Sequence, residues 1–271
     1  VILQGRTEFI EKYFETIGEL RARGFAVAAF DWRGQGLSQR LLNDPYKGHV
    51  RDFSDYQLDL QAFMGQCVRR NLPPPYVLLA HSMGAHIAVH LLHAQPSQFD
   101  RAVLCSPMVY INTSPLPHLL ARAIAISGAA LGLGAAYVPG GGGYRPEREI
   151  FEGNVLTGDA GRFARNASLL RDNPALAIGS PTLGWLAAAY RSMARVLTAP
   201  FCSAIKTPCL LLYGDRERVS LPAFQALLGK RLGNCETVCV PGARHEILQE
   251  TDEIRAQFWA AFDRFVSRPL H

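Results

Sequence analysis

Lysine is scarce in this chain: of 28 basic residues only four are lysines, Lys12, Lys47, Lys206 and Lys230. No basic run is longer than the pair Arg69-Arg70, so the net charge of +5 is scattered and leaves no nucleic-acid footprint. No apolar run reaches the length of a membrane span. The longest, AIAISGAALGLGAAYV from Ala123 to Val138, is rich in Gly and Ala and follows Arg122. It is expected to form a buried or membrane-touching helix. The six cysteines never form a CxxC pair, which leaves reduced, buried thiols as their reading. Gly140–Gly143 lacks the Lys-Ser/Thr of a phosphate loop, and Gly34-Gln35-Gly36 lacks the third glycine of a dinucleotide fingerprint. His86, His90 and His93 share one helix face, but neither an HExxH pattern nor an acidic ligand accompanies them. No metal and no cofactor is expected. The chain opens on Val1 in an apolar run without a signal-peptide pattern, and residues preceding Val1 are left open. A cytoplasmic location is expected, with membrane association compatible with the apolar segment.

What is present is a core. A 271-residue chain that is 48% hydrophobic suits one large α/β domain, or one carrying an insertion. Strands are expected at Val1–Leu3, Ala26–Phe30, Tyr76–Ala80, Ala102–Cys105, Pro208–Tyr213 and Glu236–Val240. Runs such as VLLA and CLLLY suit strands buried on both faces of a parallel sheet. Amphipathic stretches at Ile10–Arg23, Phe53–Asn71, Met83–Ala94, Leu221–Leu232 and Thr251–Val266 alternate with them. That alternation describes a doubly wound, mostly parallel sheet. It breaks between about Met108 and Phe201, a segment too long for a plain loop and without a strand pattern. The expected organisation is a core of residues 1–107 and 202–271 with a helical insertion at 108–201.

The stretch YVLLAHSMGAHIAVHLLHA, residues 76–94, reads as strand, sharp turn and helix. A serine in such a turn has its hydroxyl above the sheet and the next backbone N–H beside it. The turn needs small residues two before and two after, which Ala80 and Gly84 provide. Ser82 is therefore a candidate nucleophile, and the start of the following helix directs its positive end at a developing oxyanion. Such a serine requires an acid and then a histidine later in the chain, each after a further strand. PCLLLY is followed by Asp215 and Glu217, and TVCV by His245.

QGRTEFIEKY at 4–13, FDWRGQGLS at 30–38, HSMGAH at 81–86, NVLTGD at 154–159, GSPTLGWL at 179–186 and GARHEIL at 242–248 carry a resemblance from end to end. On these stretches the chain resembles the α/β-hydrolase superfamily, in its monoacylglycerol lipase, lysophospholipase and serine aminopeptidase-like branch. The resemblance implies an α/β-hydrolase fold whose first two edge strands are absent here, with 108–201 as a cap. Set against the family pattern, LLLYGDRERV puts Glu217 at the acid position; Asp215 is the alternative acid. The resemblance further implies an oxyanion hole made by the backbone N–H groups of Met83 and Arg6. Asp31 and Arg33 are expected to brace their loop beneath the site. The implied activity is hydrolysis of single-chain lipid esters through an acyl-enzyme, with membrane contact through the cap and no nucleic-acid partner.

Two other readings stay open at this stage. An aminopeptidase or amidase would need carboxylates in the cap to hold an ammonium, for which Glu147, Glu149 and Glu152 are candidates. A non-catalytic binding module would keep the fold alone.

Overall fold

A strand that is apolar on both faces has to lie inside a sheet covered by helices on each side. The computed structural model, which describes residues 1–269, contains such a sheet. Its five parallel strands run in the order β1-β2-β3-β4-β5. They are β1 Ile2–Leu3, β2 Val77–His81, β3 Arg101–Cys105, β4 Cys209–Gly214 and β5 Cys235–Val240. The period-two alternation sorts their side chains. Leu78, Ala80, Leu104 and Leu211 enter one apolar layer, and Leu79, Val103, Leu210 and Leu212 the other.

The helices follow in chain order. α1 spans Phe14–Ala22 and α2 Ser54–Phe63; α2 continues through a π turn, Met64–Val68, into the short α3, Arg69–Asn71. Then come α4 Ser82–Ala94, α5 His118–Gly128, α6 Ala160–Asp172, α7 Leu183–Val196 and α8 Ala199–Ser203. α9 Pro222–Arg231 and α10 Asp252–Val266 close the chain. α1 and α10 cover one face of the sheet, through Leu20, Phe258 and Phe262. α2, α4 and α9 cover the other, with Leu60, Ile87 and Leu228.

One expected strand is not formed. Ala26–Phe30 meets β1 at a single bridge, Ile2 with Ala29, and one bond from Ile2 N–H to the Ala28 carbonyl at 2.9 Å. The cause is its short neighbour: β1 offers Ile2 and Leu3 alone before the chain turns into the Gln4–Arg6 loop. The thiols also divide differently from expectation. Cys105, Cys202 and Cys209 are buried, whereas Cys67 and Cys239 are exposed, the latter on β5, which has a neighbour on one side only.

No strand lies between β3 and β4; α5 to α8 fill that part of the chain, and α5 packs on α7. Two sets of contacts tie this segment to the sheet layer. On one side the Ser192 hydroxyl of α7 bridges His86 Nε2 at 2.7 Å and His90 Nε2 at 2.9 Å on α4. The histidine stripe thus joins two helices. On the other side Arg162 of α6 donates to Glu15 at 2.5 Å and to Asp252 at 2.6 Å. Hydrogen bonding from Arg162 lowers the Glu15 pKa to about 2, against the opposing effect of desolvation.

A depressed carboxylate pKa stabilises the fold above its unfolded value near 4.5, and that gain is lost as pH falls toward 2. Glu15 is partly exposed, so its share is discounted for solvent screening to about 1 kcal/mol. In urea unfolding, Glu15→Gln is expected to cost about that much at pH 7, with the gap to wild type closing between pH 4.5 and 2. A constant gap across that range would contradict the tie.

Candidate active site

β2 ends in extended backbone at His81 (φ −119°, ψ 138°), and Ser82, the first residue of α4, then turns to φ 49°. A non-glycine residue in that left-handed region costs about 1–3 kcal/mol, held here by the packing on either side. The Met108 N–H donates to the Ser82 carbonyl at 3.1 Å and fixes the turn from the β3 side. Gly84 is required by close approach. A Cβ at that position would lie 2.4 Å from the Leu3 carbonyl oxygen and 2.5 Å from that of Gln4.

The strands share a direction, so the loops after β2, β4 and β5 meet at one edge of the sheet. There His245 Nε2 lies 2.9 Å from Ser82 Oγ, and His245 Nδ1 lies 2.5 Å from Glu217 Oε2. An ionised carboxylate only accepts, so Nδ1–H donates to Glu217 and Nε2 is left to accept from the serine hydroxyl. Glu217 Oε1 accepts from the Val219 and Ser220 amides at 2.7 and 3.1 Å. Burial raises the Glu217 pKa, but His245 and these two amides outweigh it, and the net shift is downward. Asp215 is exposed and accepts from the Gly242 N–H at 2.7 Å, holding the turn after β5. It makes no contact with His245 among the described residues.

The Gln4–Thr7 loop crosses the same edge. Trp32 Nε1 donates to the Gln4 carbonyl at 2.9 Å, and Gln35 Nε2 to that of Gly5, also at 2.9 Å. Gln35 Oε1 accepts from the Thr7 N–H at 3.2 Å. FDWRGQGLS therefore shapes this loop from behind. Asp31 braces it further, accepting from Ile10 N–H at 3.0 Å, while Arg33 turns away to Asp59 at 2.6 Å. Among the described residues, neither the Arg6 nor the Met83 backbone N–H donates to a protein acceptor.

Ser82 and His245 open onto a cavity of about 250 Å³. Met108, Ile111, Leu156, Pro181, Trp185 and Leu186 line it. A second cavity, of about 350 Å³, lies at the other end of the strands beside Val1, Phe25 and Tyr76, away from these groups.

The serine aminopeptidase S33 family model matches residues 1–252. The chain belongs to this family of α/β hydrolases. It is similar to lysophospholipase L2 of Escherichia coli, 35% identical over 99% of this chain and 80% of that protein. It is also similar to the probable lysophospholipase L2 of Haemophilus influenzae, 30% identical over 98% of this chain and 83% of that one. Among solved structures, the monoacylglycerol lipase of Paleococcus ferrophilus shares the fold. It has a TM-score of 0.74 at 20% identity and covers 98% of this chain and 93% of its own.

This member of the S33 family carries a buried charge network that motif reading missed. Lys12 Nζ lies 3.0 Å from Glu8 Oε1 and 2.6 Å from Glu246 Oε1. Glu8 also accepts from Tyr13 OH at 2.7 Å and from the Gly5 N–H. His81 Nδ1 faces Glu8 Oε2 at 3.0 Å, and its Nε2 faces the His245 carbonyl at 3.1 Å. Both partners are acceptors, so both ring nitrogens donate and His81 is an imidazolium. Burial opposes that charge, but Glu8 outweighs it and holds the His81 pKa above its ordinary value. The sole sequence signal was charge on an otherwise amphipathic stretch.

A raised folded-state pKa gives stability that is full below the unfolded value near 6.5 and lost as pH rises through the folded value. Wild-type stability is expected to decline through that window, and His81→Gln to flatten the decline. An unchanged slope in denaturant titrations of the variant would rule out the imidazolium.

Proposed function

We propose that this chain hydrolyses carboxylic esters of single-chain lipids through an acyl-enzyme on Ser82. One observation carries the reading: the Ser82–His245–Glu217 chain of hydrogen bonds opens onto a cavity whose apolar lining, Val219 apart, comes from 108–201. That segment acts as a cap over the core formed by 1–107 and 202–271. The names of the relatives, lysophospholipase and monoacylglycerol lipase, support lipid esters as the substrate class.

Ser82 Oγ attacks the ester carbonyl while His245 Nε2 takes its proton. Negative charge gathers on the carbonyl oxygen, for which the Met83 and Arg6 N–H groups, without protein acceptors, are the proposed donors. His245 returns the proton to the leaving alcohol, and the acyl group stays on Ser82. Water then repeats the sequence and releases the fatty acid. Throughout, Glu217 fixes the His245 tautomer and offsets the imidazolium charge.

The aminopeptidase reading gains a carboxylate in the cavity lining, Glu246, but Lys12 already neutralises it. Glu147, Glu149 and Glu152 do not line the cavity. An ammonium would find no free carboxylate there. Outside the cavity the cap exposes Leu119 (76%) and Leu131 (77%), with Leu120 and Leu133 beside them. This surface is where the cap meets a lipid aggregate. No helix among the described residues is long and apolar enough to cross a membrane.

The test is turnover of p-nitrophenyl esters from acetate to palmitate, with wild type and Ser82→Ala. Serine-dependent rates that rise with chain length are expected; activity confined to acetate and butyrate would remove the lipid assignment. On the preferred ester Glu217→Gln should lower kcat by roughly 10³–10⁴, with Asp215→Asn within about twofold of wild type. The reverse ranking would make Asp215 the acid.

A further inference from the structure

Arg6 has a side chain that its own environment does not account for. Its Nη2 donates to the Gly179 carbonyl at 2.6 Å, and its guanidinium carbon stands 5.2 Å from the centre of the Trp185 ring. Nε is buried without a hydrogen-bond partner, and Nη1 makes no hydrogen bond among the described residues. None of the ion pairs among the described residues includes Arg6. The two buried cations beside it are matched: Lys12 by Glu8 and Glu246, and His81 by Glu8. Glu246 is the one carboxylate residue in the cavity lining, and it is spent on Lys12.

A half-buried guanidinium that only bonds a carbonyl and stands beside an indole keeps donors free for a ligand. A neutral donor would serve Gly179 without the desolvation of a charge. That desolvation lowers the Arg6 pKa to about 10, so the group stays charged at neutral pH. An unmatched cation lining a substrate cavity selects an anionic group on the substrate.

We infer that the Arg6 guanidinium binds the phosphate of a lysophospholipid whose acyl ester lies at Ser82, so that the site prefers phosphate-bearing to neutral head groups. This rests on the lipid-ester reading above. Covalent distances agree with it. In a lysophospholipid acylated at one end of the glycerol, the ester carbonyl carbon and the phosphorus are separated by as many bonds as the arginine backbone nitrogen and its guanidinium carbon. The Arg6 N–H at the oxyanion and its guanidinium at the phosphate can therefore engage one glycerol backbone. The phosphate is bound, not transformed.

The experiment compares two ether lipids that cannot be hydrolysed, a 1-O-alkylglycerol 3-phosphate and the matching 1-O-alkylglycerol. Each is measured as an inhibitor of p-nitrophenyl ester turnover and by thermal shift, which needs no turnover. In wild type the phosphate ether is expected to bind roughly tenfold more tightly, the effect of one charge-assisted contact. Arg6→Gln should bring the two ligands level, and Arg6→Lys should keep part of the preference. The ratio of two ligands on one sample does not depend on the folded fraction or on residual activity. Equal binding in wild type, or a preference that survives Arg6→Gln, would overturn the role of Arg6. Inorganic phosphate at the same concentration should compete poorly; competition as strong as that of the phosphate ether would mark a free-anion site and remove the lipid assignment. Absence of ester turnover with a retained preference would instead overturn the hydrolase reading and leave Arg6 as the phosphate ligand.

Discussion

His245 has to satisfy three partners from two separate parts of the chain. Its Nδ1 meets Glu217 after β4, its Nε2 meets Ser82 after β2, and its carbonyl accepts a hydrogen bond from His81 Nε2. An imidazole on a loop would sample many orientations without these. The parallel sheet makes the meeting achievable, since neighbouring strands end together and deliver their loops to one edge. The strain at Ser82 and the bare Gly84 follow from the same demand, because the serine must stand clear of the sheet while α4 presses against β1.

Charge is organised around that imidazole. Glu8, Lys12, His81 and Glu246 form a buried set with two charges of each sign, and breaking one member would leave another unpaired, at a cost of about 3–5 kcal/mol. The set links β2, the segment before α1 and the His245 loop. Through Glu8 it also holds the Gly5 amide, and so the loop carrying the Arg6 N–H. Among the cations lining the substrate cavity Arg6 has no carboxylate partner, which is why it falls to the substrate in the proposed reading.

Much of this was legible in the sequence, and the reason is locality. A nucleophile elbow is a short pattern of strand, small residues and helix. The order of serine, acid and histidine survives any loop length. Glu217 and Asp215 could be ranked only by register, and the geometry puts Glu217 against His245. The rest depended on distance. Lys12 meets Glu246 across 234 positions, so a charge that looks solvated within its own stretch of sequence is in fact buried. The side chain of Arg6 is placed by Gly179 and Trp185, and nothing near Gly5 announces that. Ala26–Phe30 has the composition of a strand, yet strand status depends on its neighbour, and β1 is too short to ladder with it.

The most direct measurement is covalent labelling with a fluorophosphonate, followed by peptide mass analysis. The account predicts one adduct, on Ser82, lost in Ser82→Ala and slowed by several orders of magnitude in His245→Ala. A folded wild-type protein that stays unlabelled, or that carries the label on another residue, would contradict a serine acyl-enzyme at this site.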